Sequence, residues 1–588
     1  MPRRLQLAVA ALLLIGAVAA VYAQTAGFVN LRLDDWGYTA GCPFVRDGFS
    51  LGNVGRAFAD FGHGAIWMPL TYCTYMLDIS LFGGGWGPHH LVNVLLHAVN
   101  ASLLLLLLLR LLPRFGVATG RGLAAATAAV MLWALHPMRV EPVAWIAARK
   151  ELLWTLFTLL ALFPWLRFLD RGRRRDGLLT FVLFLAAGLC KPTALCFPLL
   201  AFAVHRFAAP EGRAGRRAYL PMLAVSLALG LVTICSQTNP TGSDRIDIYD
   251  TTFRWRVLNA AVSAGLYLWH TVVPTGVHFD YRAVFEGWPL DGALGLAALA
   301  AAMALLALTW LRFRGNAAVR RLTGLTVWGW LVPLAPALGV FGIVGDHALA
   351  DRYVYLSSAF LSLPVAVIVA KAVARFRPAV VFGVLAVSLA GELSVTCPLT
   401  KSFRDDVAVF SRALAHDPDH WRALAFVGAE YCARLGRMDE GVAMLRRSQR
   451  LSPRPSTAST LAYVLALRGA PGDFDEVRRL GARTAADPGL DRGGMMLDAL
   501  GVVAMREGDD EAAVRWFSSA LVAPKRAHST VHTLLNLGLC LANTGDERRA
   551  LMVLAKLSSS RDGQVRRRAA DAIALLERGG SRGRFGWE

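Results

Sequence analysis

Leu33-Asp34-Asp35-Trp36 stands shortly beyond an uninterrupted apolar run, Leu5 to Ala23, and that juxtaposition sets how the whole chain is read. A helix crossing the hydrocarbon core of a bilayer needs roughly 20 apolar residues, and the run supplies them. Two carboxylates just past its end lie at a membrane surface. There a carboxylate serves as general base where a lipid-borne substrate meets an acceptor. The plain alternative is a short helix capped by Asp34 or Asp35, since Asp is a favoured N-cap residue. The rest of the chain favours the first reading, because charged residues recur on the same side of the membrane.

The 588 residues are 55% hydrophobic, with apolar segments continuing to near Cys397 and amphipathic, soluble helical sequence beyond. The fold class expected is all-α, a polytopic membrane helix bundle over 1–400 followed by a soluble helical domain over 401–588. A net charge of +20 is carried by Arg residues between hydrophobic runs, not on one face. Such residues set topology before anything else. With neither a basic-aromatic motif nor zinc-finger spacing, nucleic acid is set aside as a partner.

Basic residues gather in short cytoplasmic loops. The clusters Arg3-Arg4, Arg110 to Arg121, Arg167 to Arg175, Arg206 to Arg217, Arg312 to Arg321 and Lys371 to Arg377 can all be placed inside. The first run is then read as a retained anchor in place of a cleaved signal peptide. Spans are expected near 5–23, 89–110, 121–137, 150–168, 178–190, 192–206, 219–236, 290–311, 322–344, 353–373 and 378–397, eleven in all. Lys191-Pro192 turns a hairpin of short helices, and Phe253 to Pro274 is read as re-entrant or interfacial. The N-terminus lies inside and the C-terminal domain outside. Cys42 and Cys73 share the first outer loop and could pair in an oxidising compartment.

After Cys397 the sequence repeats. Pro418, Pro453, Pro488 and Pro524 are spaced by 35, 35 and 36 residues, with turn glycines at Gly436, Gly508 and Gly545. Small residues follow five positions later at Gly441, Ala513 and Ala550, and Leu500-Gly501 and Leu537-Gly538 match in register. This resembles the tetratricopeptide repeat (TPR), with units at 420–453, 456–488, 494–525 and 530–562 and a charged capping helix. Stacked repeats of this kind present a concave binding surface, suited to a protein or peptide.

Ionisable residues in or near spans are costly and so default to functional candidates. The acids are Asp34, Asp35 and Glu141. The cations Arg139, Arg149, Lys150, Lys191 and Arg352 come from separate segments, yet all fall at outer ends of spans. Arg139, Lys150, Lys191 and Arg352 are read as ligands of a phosphate, which Arg binds bidentately and Lys as a point charge. The bland alternative pairs Arg139 with Glu141, and Arg352 with Asp351 or Asp346. His89, Asn93, His97 and Asn100 step by four, four and three, forming one polar stripe with His90 beside it. Its bland reading is interhelical hydrogen bonding. No His-His-carboxylate spacing fixes a metal site, so no metal or other cofactor is assigned and a divalent ion is left open.

Taken in order, the acidic pair, Trp67-Met68-Pro69-Leu70-Thr71, Pro88-His89-His90-Leu91-Val92-Asn93, His136-Pro137 with Glu141-Pro142-Val143-Ala144-Trp145, Leu189-Cys190-Lys191-Pro192 and Ala350-Asp351-Arg352-Tyr353-Val354-Tyr355-Leu356 form a set. It resembles bacterial relatives of the transmembrane-and-tetratricopeptide-repeat O-mannosyltransferases. The resemblance covers almost the whole chain. It departs at Ala148 and Leu152, where Glu and Asp are usual. It implies a C-type glycosyltransferase fold in a bacterial inner membrane, with extracytoplasmic chemistry on a polyprenyl-phosphate sugar. An acid of the first outer loop would be the base, Asp35 slightly before Asp34. The sugar, mannose in the eukaryotic members and open to another in bacterial relatives, would pass by inversion to a hydroxyl, and the partners would be the lipid-linked donor, membrane lipid and a protein acceptor held by the repeats. The competing readings are a membrane-anchored repeat scaffold for envelope assembly and an O-antigen-type polymerase or ligase.

Overall fold

The computed structural model describes residues 2–61, 66–213, 215–238, 252–281, 289–340, 349–486, 493–523, 530–560 and 562–578. Asp346, Pro488 and Pro524 lie outside these. Among the described residues every regular element is helical. The chain divides into two compact units, Met1–His416 and Asp417–Glu588. Helix Asp406–His416 thus belongs to the first unit, beyond the apolar spans.

Among the described residues of the first unit, five helices are long and apolar enough to cross a bilayer: Arg3–Gly27, Trp86–Phe115, Ile146–Arg171, Gly292–Phe313 and Pro378–Ser402. Two further candidates are bent pairs, Gly120–Leu135 with Pro137–Ala144 at 65° and Asp351–Ala359 with Ser362–Arg375 at 48°. The chain is an integral membrane protein. The expected eleven spans are reached only by adding the shorter apolar helices Arg174–Cys190, Pro192–Ala208 and Leu220–Ser236, and Ala317–Leu334, which carries Arg320 and Arg321. Phe253–Val272 is one continuous 20-residue helix, which excludes the re-entrant alternative of the sequence reading and leaves the interfacial one. It packs along Pro289–Phe313, where Gly265 meets the Gly295 backbone so closely that no Cβ would fit.

The breaks in the spans fall where prolines put them. A residue preceding proline is driven from helical to extended backbone. His136, before Pro137, has φ −64° and ψ 140° and ends the helix Thr119–Leu135. Lys191, before Pro192, has φ −156° and ψ 124° and ends Arg174–Cys190. Arg139, Glu141, Arg149, Lys150 and Lys191 therefore sit on or beside irregular backbone. Backbone of this kind is tolerated at membrane depth only when buried protein groups satisfy it.

The second unit is an array of antiparallel helix pairs: Trp421–Ala433 with Met438–Leu451, Pro455–Arg468 with Asp473–Ala486, Met495–Glu507 with Asp510–Leu521, and Thr530–Asn543 with Glu547–Ala555. Gly563–Glu577 closes the end. Small residues sit where the paired helices touch. A Cβ on Gly501 would lie 2.6 Å from the Phe517 ring, and one on Gly538 2.6 Å from Leu554. Gly508 at φ 92° and Gly545 at φ 83° turn the chain between partners in a region that side chains disfavour. Leu445, Leu461, Leu465, Phe517, Cys540 and Leu554 form part of one continuous core through the array.

Candidate active site

The polar stripe lies on the helix Trp86–Leu111, and all four of its members are fully buried. Its bonds, with those of His90 beside it, go to both sides of the break at Pro137. His90 Nδ1 lies 2.8 Å from Ala144 O, and Asn93 Nδ2 donates to Trp145 O at 2.9 Å. His97 Nε2 lies 2.9 Å from Ala134 O, and Asn100 Nδ2 donates to Leu152 O at 3.0 Å. Tyr75 Oη adds a bond to Ile146 O at 2.9 Å. The stripe thus ties the end of the helix before the break, the irregular backbone after it and the first turn of the next helix to one another. This is the hydrogen-bonding reading, and it leaves the stripe a positioning role.

Arg149 completes that framework. Its Nη2 lies 2.6 Å from Asp78 Oδ2 and donates to His89 O at 2.8 Å, while Nε donates to Asn93 Oδ1 at 2.9 Å. Asp78 also lies 3.0 Å from His89 Nδ1. Asp78 escaped the sequence reading. Its only signal was a lone carboxylate in the apolar helix Pro69–Phe82.

The two acids of the first loop have opposite surroundings. Asp34 occupies the N-cap position of the short helix Asp35–Tyr38, but its side chain makes no capping bond, and it is exposed. Asp35 is wholly buried. Its Oδ2 accepts from Leu31 N at 2.8 Å and its Oδ1 from Ala147 N at 2.7 Å. Burial outweighs those two donors and pushes its carboxyl up to about 7. Asp35 therefore ties the loop to the segment before Arg149. Asp35, the first choice of the sequence reading, is shielded with each oxygen accepting a backbone N–H, whereas Asp34, the second choice, is open to solvent.

Three of the expected phosphate cations form one cluster. Arg352 sits over the Trp145 and Tyr353 rings at 5.0 and 4.8 Å, Lys191 over Tyr353 at 5.3 Å, and Lys150 over Tyr38 and Trp145 at 4.7 and 6.0 Å. Asp34, Arg352, Glu151 and Lys191 are the charges acting on Lys150. Two of the three cations already have carboxylates. Arg352 forms a short ion pair with Glu141, whose Oε2 also accepts from Arg352 N at 3.0 Å. Lys191 forms a short pair with Glu151, which also accepts from Trp154 Nε1 at 2.8 Å. Lys150 donates to Ala147 O at 3.1 Å and has no carboxylate within ion-pair distance among the described residues.

Arg139 lies elsewhere. Its Nη1 reaches Val354 O at 3.4 Å and Tyr355 O at 3.3 Å, and its guanidinium lies 5.7 Å from the Trp133 and Tyr355 rings. Tyr355 Oη in turn lies 2.6 Å from His97 Nδ1. Arg139 thus belongs with the stripe, apart from the other three cations, and pairs with neither Glu141 nor a phosphate cluster. Asp351 has Tyr281 Oη at 3.4 Å from both its oxygens. Cys42 and Cys73 are free thiols, so the expected disulfide is absent. Among the described residues no group of three or more His, Cys, Asp or Glu could hold a metal ion.

No protein-family model matches the chain. Over 149 residues it is 36% identical to Tmtc1 of Drosophila melanogaster, covering 25% of this chain and 16% of that protein. Over 397 residues it is 23% identical to a Caenorhabditis elegans protein, covering 63% and 51%. Over 191 residues it is 33% identical to TMTC1 of Mus musculus, covering 31% and 18%. All three bear the name protein O-mannosyl-transferase. The chain thus spans about half the length of the nematode protein and under a fifth of the other two. Yeast Tom70 aligns over 77% of this chain and 85% of its own at 12% identity, with a TM-score of 0.23, too low to describe a shared fold. By sequence, the curated relatives of this chain are protein O-mannosyl-transferases, matched over part of their length.

Proposed function

We propose that the chain is a membrane glycosyltransferase that moves a sugar, mannose by analogy with the named relatives, from a polyprenyl-phosphate donor to a hydroxyl on a protein. The observation that carries this is buried Lys150, which among the described residues has no carboxylate within ion-pair distance, stands over the ring of Tyr38 in the short helix whose N-cap position exposed Asp34 occupies, and shares the Trp145 ring with Arg352. A base and a preformed cationic cluster on these elements suit a displacement that expels phosphate. Asp34 takes the proton of the acceptor hydroxyl as its oxygen attacks the anomeric carbon. The bond from that carbon to the phosphate oxygen breaks, and its electron pair leaves on the polyprenyl phosphate. Lys150 meets that charge, with Arg352 and Lys191 supplying field from their ion pairs. One carboxylate suffices for a single inverting displacement, whereas glycoside hydrolysis ordinarily uses two. Asp35, Glu141 and the stripe position these groups.

The Arg clusters place the N-terminus in the cytoplasm and the chemistry and the repeats outside it. The helix pairs of the second unit then hold the protein acceptor. The test is donor binding by Lys150→Gln in nanodiscs, with polyprenyl-phosphate mannose as probe. Binding should fall at least tenfold while the variant assembles normally. Undiminished binding would remove Lys150 from the site.

A further inference from the structure

The first loop contains a helix with its faces reversed. In Leu51–Ala59 the buried positions are Asn53 and Ala57, one turn apart, and Asn53 Nδ2 donates to Gly48 O at 2.8 Å. The exposed side is apolar: Leu51 is 87% exposed, Phe58 37%, and Phe49 and Phe61 flank them at 46% and 43%. Helical spacing puts Leu51, Val54, Gly55 and Phe58 on this one side, with exposed Arg56 well round the helix from it, next to Asn53. Trp67 caps the patch, stacked on Phe61 at 5.4 Å and edge-on to Phe58 at 6.4 Å, with Nε1 donating to Phe58 O. A loop helix facing water shows the opposite arrangement, apolar side in and polar side out, and a contiguous exposed apolar patch marks an interaction surface.

One occupant fits. The helix sits in the loop between two spans, Arg3–Gly27 and Trp86–Phe115, so bilayer lies on either side of it in sequence. Aromatic rings at the patch margin are residues that settle at headgroup level, and Arg56, turned away from the patch, is left to the water side. We infer that Leu51–Ala59 is an interfacial helix, lying in the membrane surface with Leu51, Val54 and Phe58 buried among lipid. Interfacial helices sink about 5–10 Å into the headgroup and acyl boundary. Asp34 belongs to the same loop, so this anchor would fix the depth of the proposed base relative to a lipid-borne donor. That consequence rests on the transferase reading, while the anchor itself does not.

The experiment places a nitroxide label at position 51, 56 or 58, one at a time, in a variant lacking reactive cysteines, in nanodiscs of phosphatidylethanolamine and phosphatidylglycerol. Accessibility to oxygen, which concentrates in lipid, is compared with accessibility to a water-soluble nickel chelate. The oxygen-to-nickel ratio should be several-fold higher at 51 and 58 than at 56. A variant that fails to assemble is replaced by a label at Val54, on the same face. Ready nickel access at 51 and 58 would overturn the inference, because the patch would face water. Protection from both reagents would overturn it too, showing a protein cover. No sugar transfer enters the readout, so loss of the anchor and loss of the transferase reading are separable.

Discussion

Replacing Asn93 by Leu tests whether the polar stripe holds the site's backbone. Leu matches the size of Asn but can make neither of its two bonds, Nδ2 to Trp145 O and Arg149 Nε to Oδ1, each 2.9 Å. In a water-soluble interior each buried group left unpaired costs about 1–3 kcal/mol, more when charged. In membranes, polar contacts between helices average only about 0.6 kcal/mol and reach about 1.7, because the separated helices find other partners. The Trp145 carbonyl keeps its bond from Ala148 N at 3.2 Å, whereas the Arg149 guanidinium is fixed by Asp78 and His89 and its Nε is poorly placed to find a substitute. The expected loss is about 1–3 kcal/mol. It can be read from reversible unfolding in mixed micelles, following helicity across a detergent titration. Asn93→Asp keeps the acceptor for Arg149 and should lose about half as much. Donor binding should weaken as well, since the Trp145 ring packs against Arg352 and Lys150. Stability of Asn93→Leu within about 0.5 kcal/mol of the parent, the range of an ordinary surface change, would refute the positioning role.

Arg352→Leu leaves Glu141 buried without its cation and should cost about 3–5 kcal/mol, whereas Arg352→Leu with Glu141→Leu should recover most of that in the same titration. Asp35 gives a pH dependence whose sign is fixed by its raised carboxyl, 3.8 moved to about 7. Folding favours the neutral acid, so its contribution is complete below pH about 4 and disappears as pH rises through about 7. Unfolding free energy should fall by about 3 kcal/mol between pH 5 and 8 in the parent relative to Asp35→Asn. In the second unit, Gly501→Ala would drive a methyl to 2.6 Å from the Phe517 ring. It should cost about 1–3 kcal/mol and lower the thermal midpoint of the repeats.

The helical architecture was legible because it rests on long-period signals. Apolar runs near 20 residues announce spans, and prolines and glycines 35 residues apart announce helix pairs whatever fills the positions between. The span count was less legible, since the helix that the sequence ends at Pro137 continues at 65° into Pro137–Ala144, and Asp351–Ala359 meets Ser362–Arg375 at 48°. At the candidate site, the sequence singled out Asp35, Asp34, Glu141, Arg139, Lys150, Lys191, Arg352 and the stripe by their cost in a membrane. Pairing is a different matter. Which carboxylate meets which cation depends on contacts hundreds of residues apart, and so Glu141 goes to Arg352, Glu151 to Lys191 and Asp78 to Arg149. The same holds for the contrast between Asp34 and Asp35. Adjacent in sequence, they stand at the cap and the first position of a short helix, whose start buries one and exposes the other.

The most direct measurement is sugar transfer by Asp34→Asn in nanodiscs, from polyprenyl-phosphate mannose to a Ser/Thr-containing protein acceptor, beside Asp35→Asn and the parent. Asn keeps the shape and removes the basicity, and general bases contribute typically about a hundred- to ten-thousand-fold. Asp34→Asn should bind donor as the parent does and lose transfer by at least about a hundredfold, while Asp35→Asn should lose less transfer. Near-normal transfer by Asp34→Asn in an enzyme shown to be active would contradict the account.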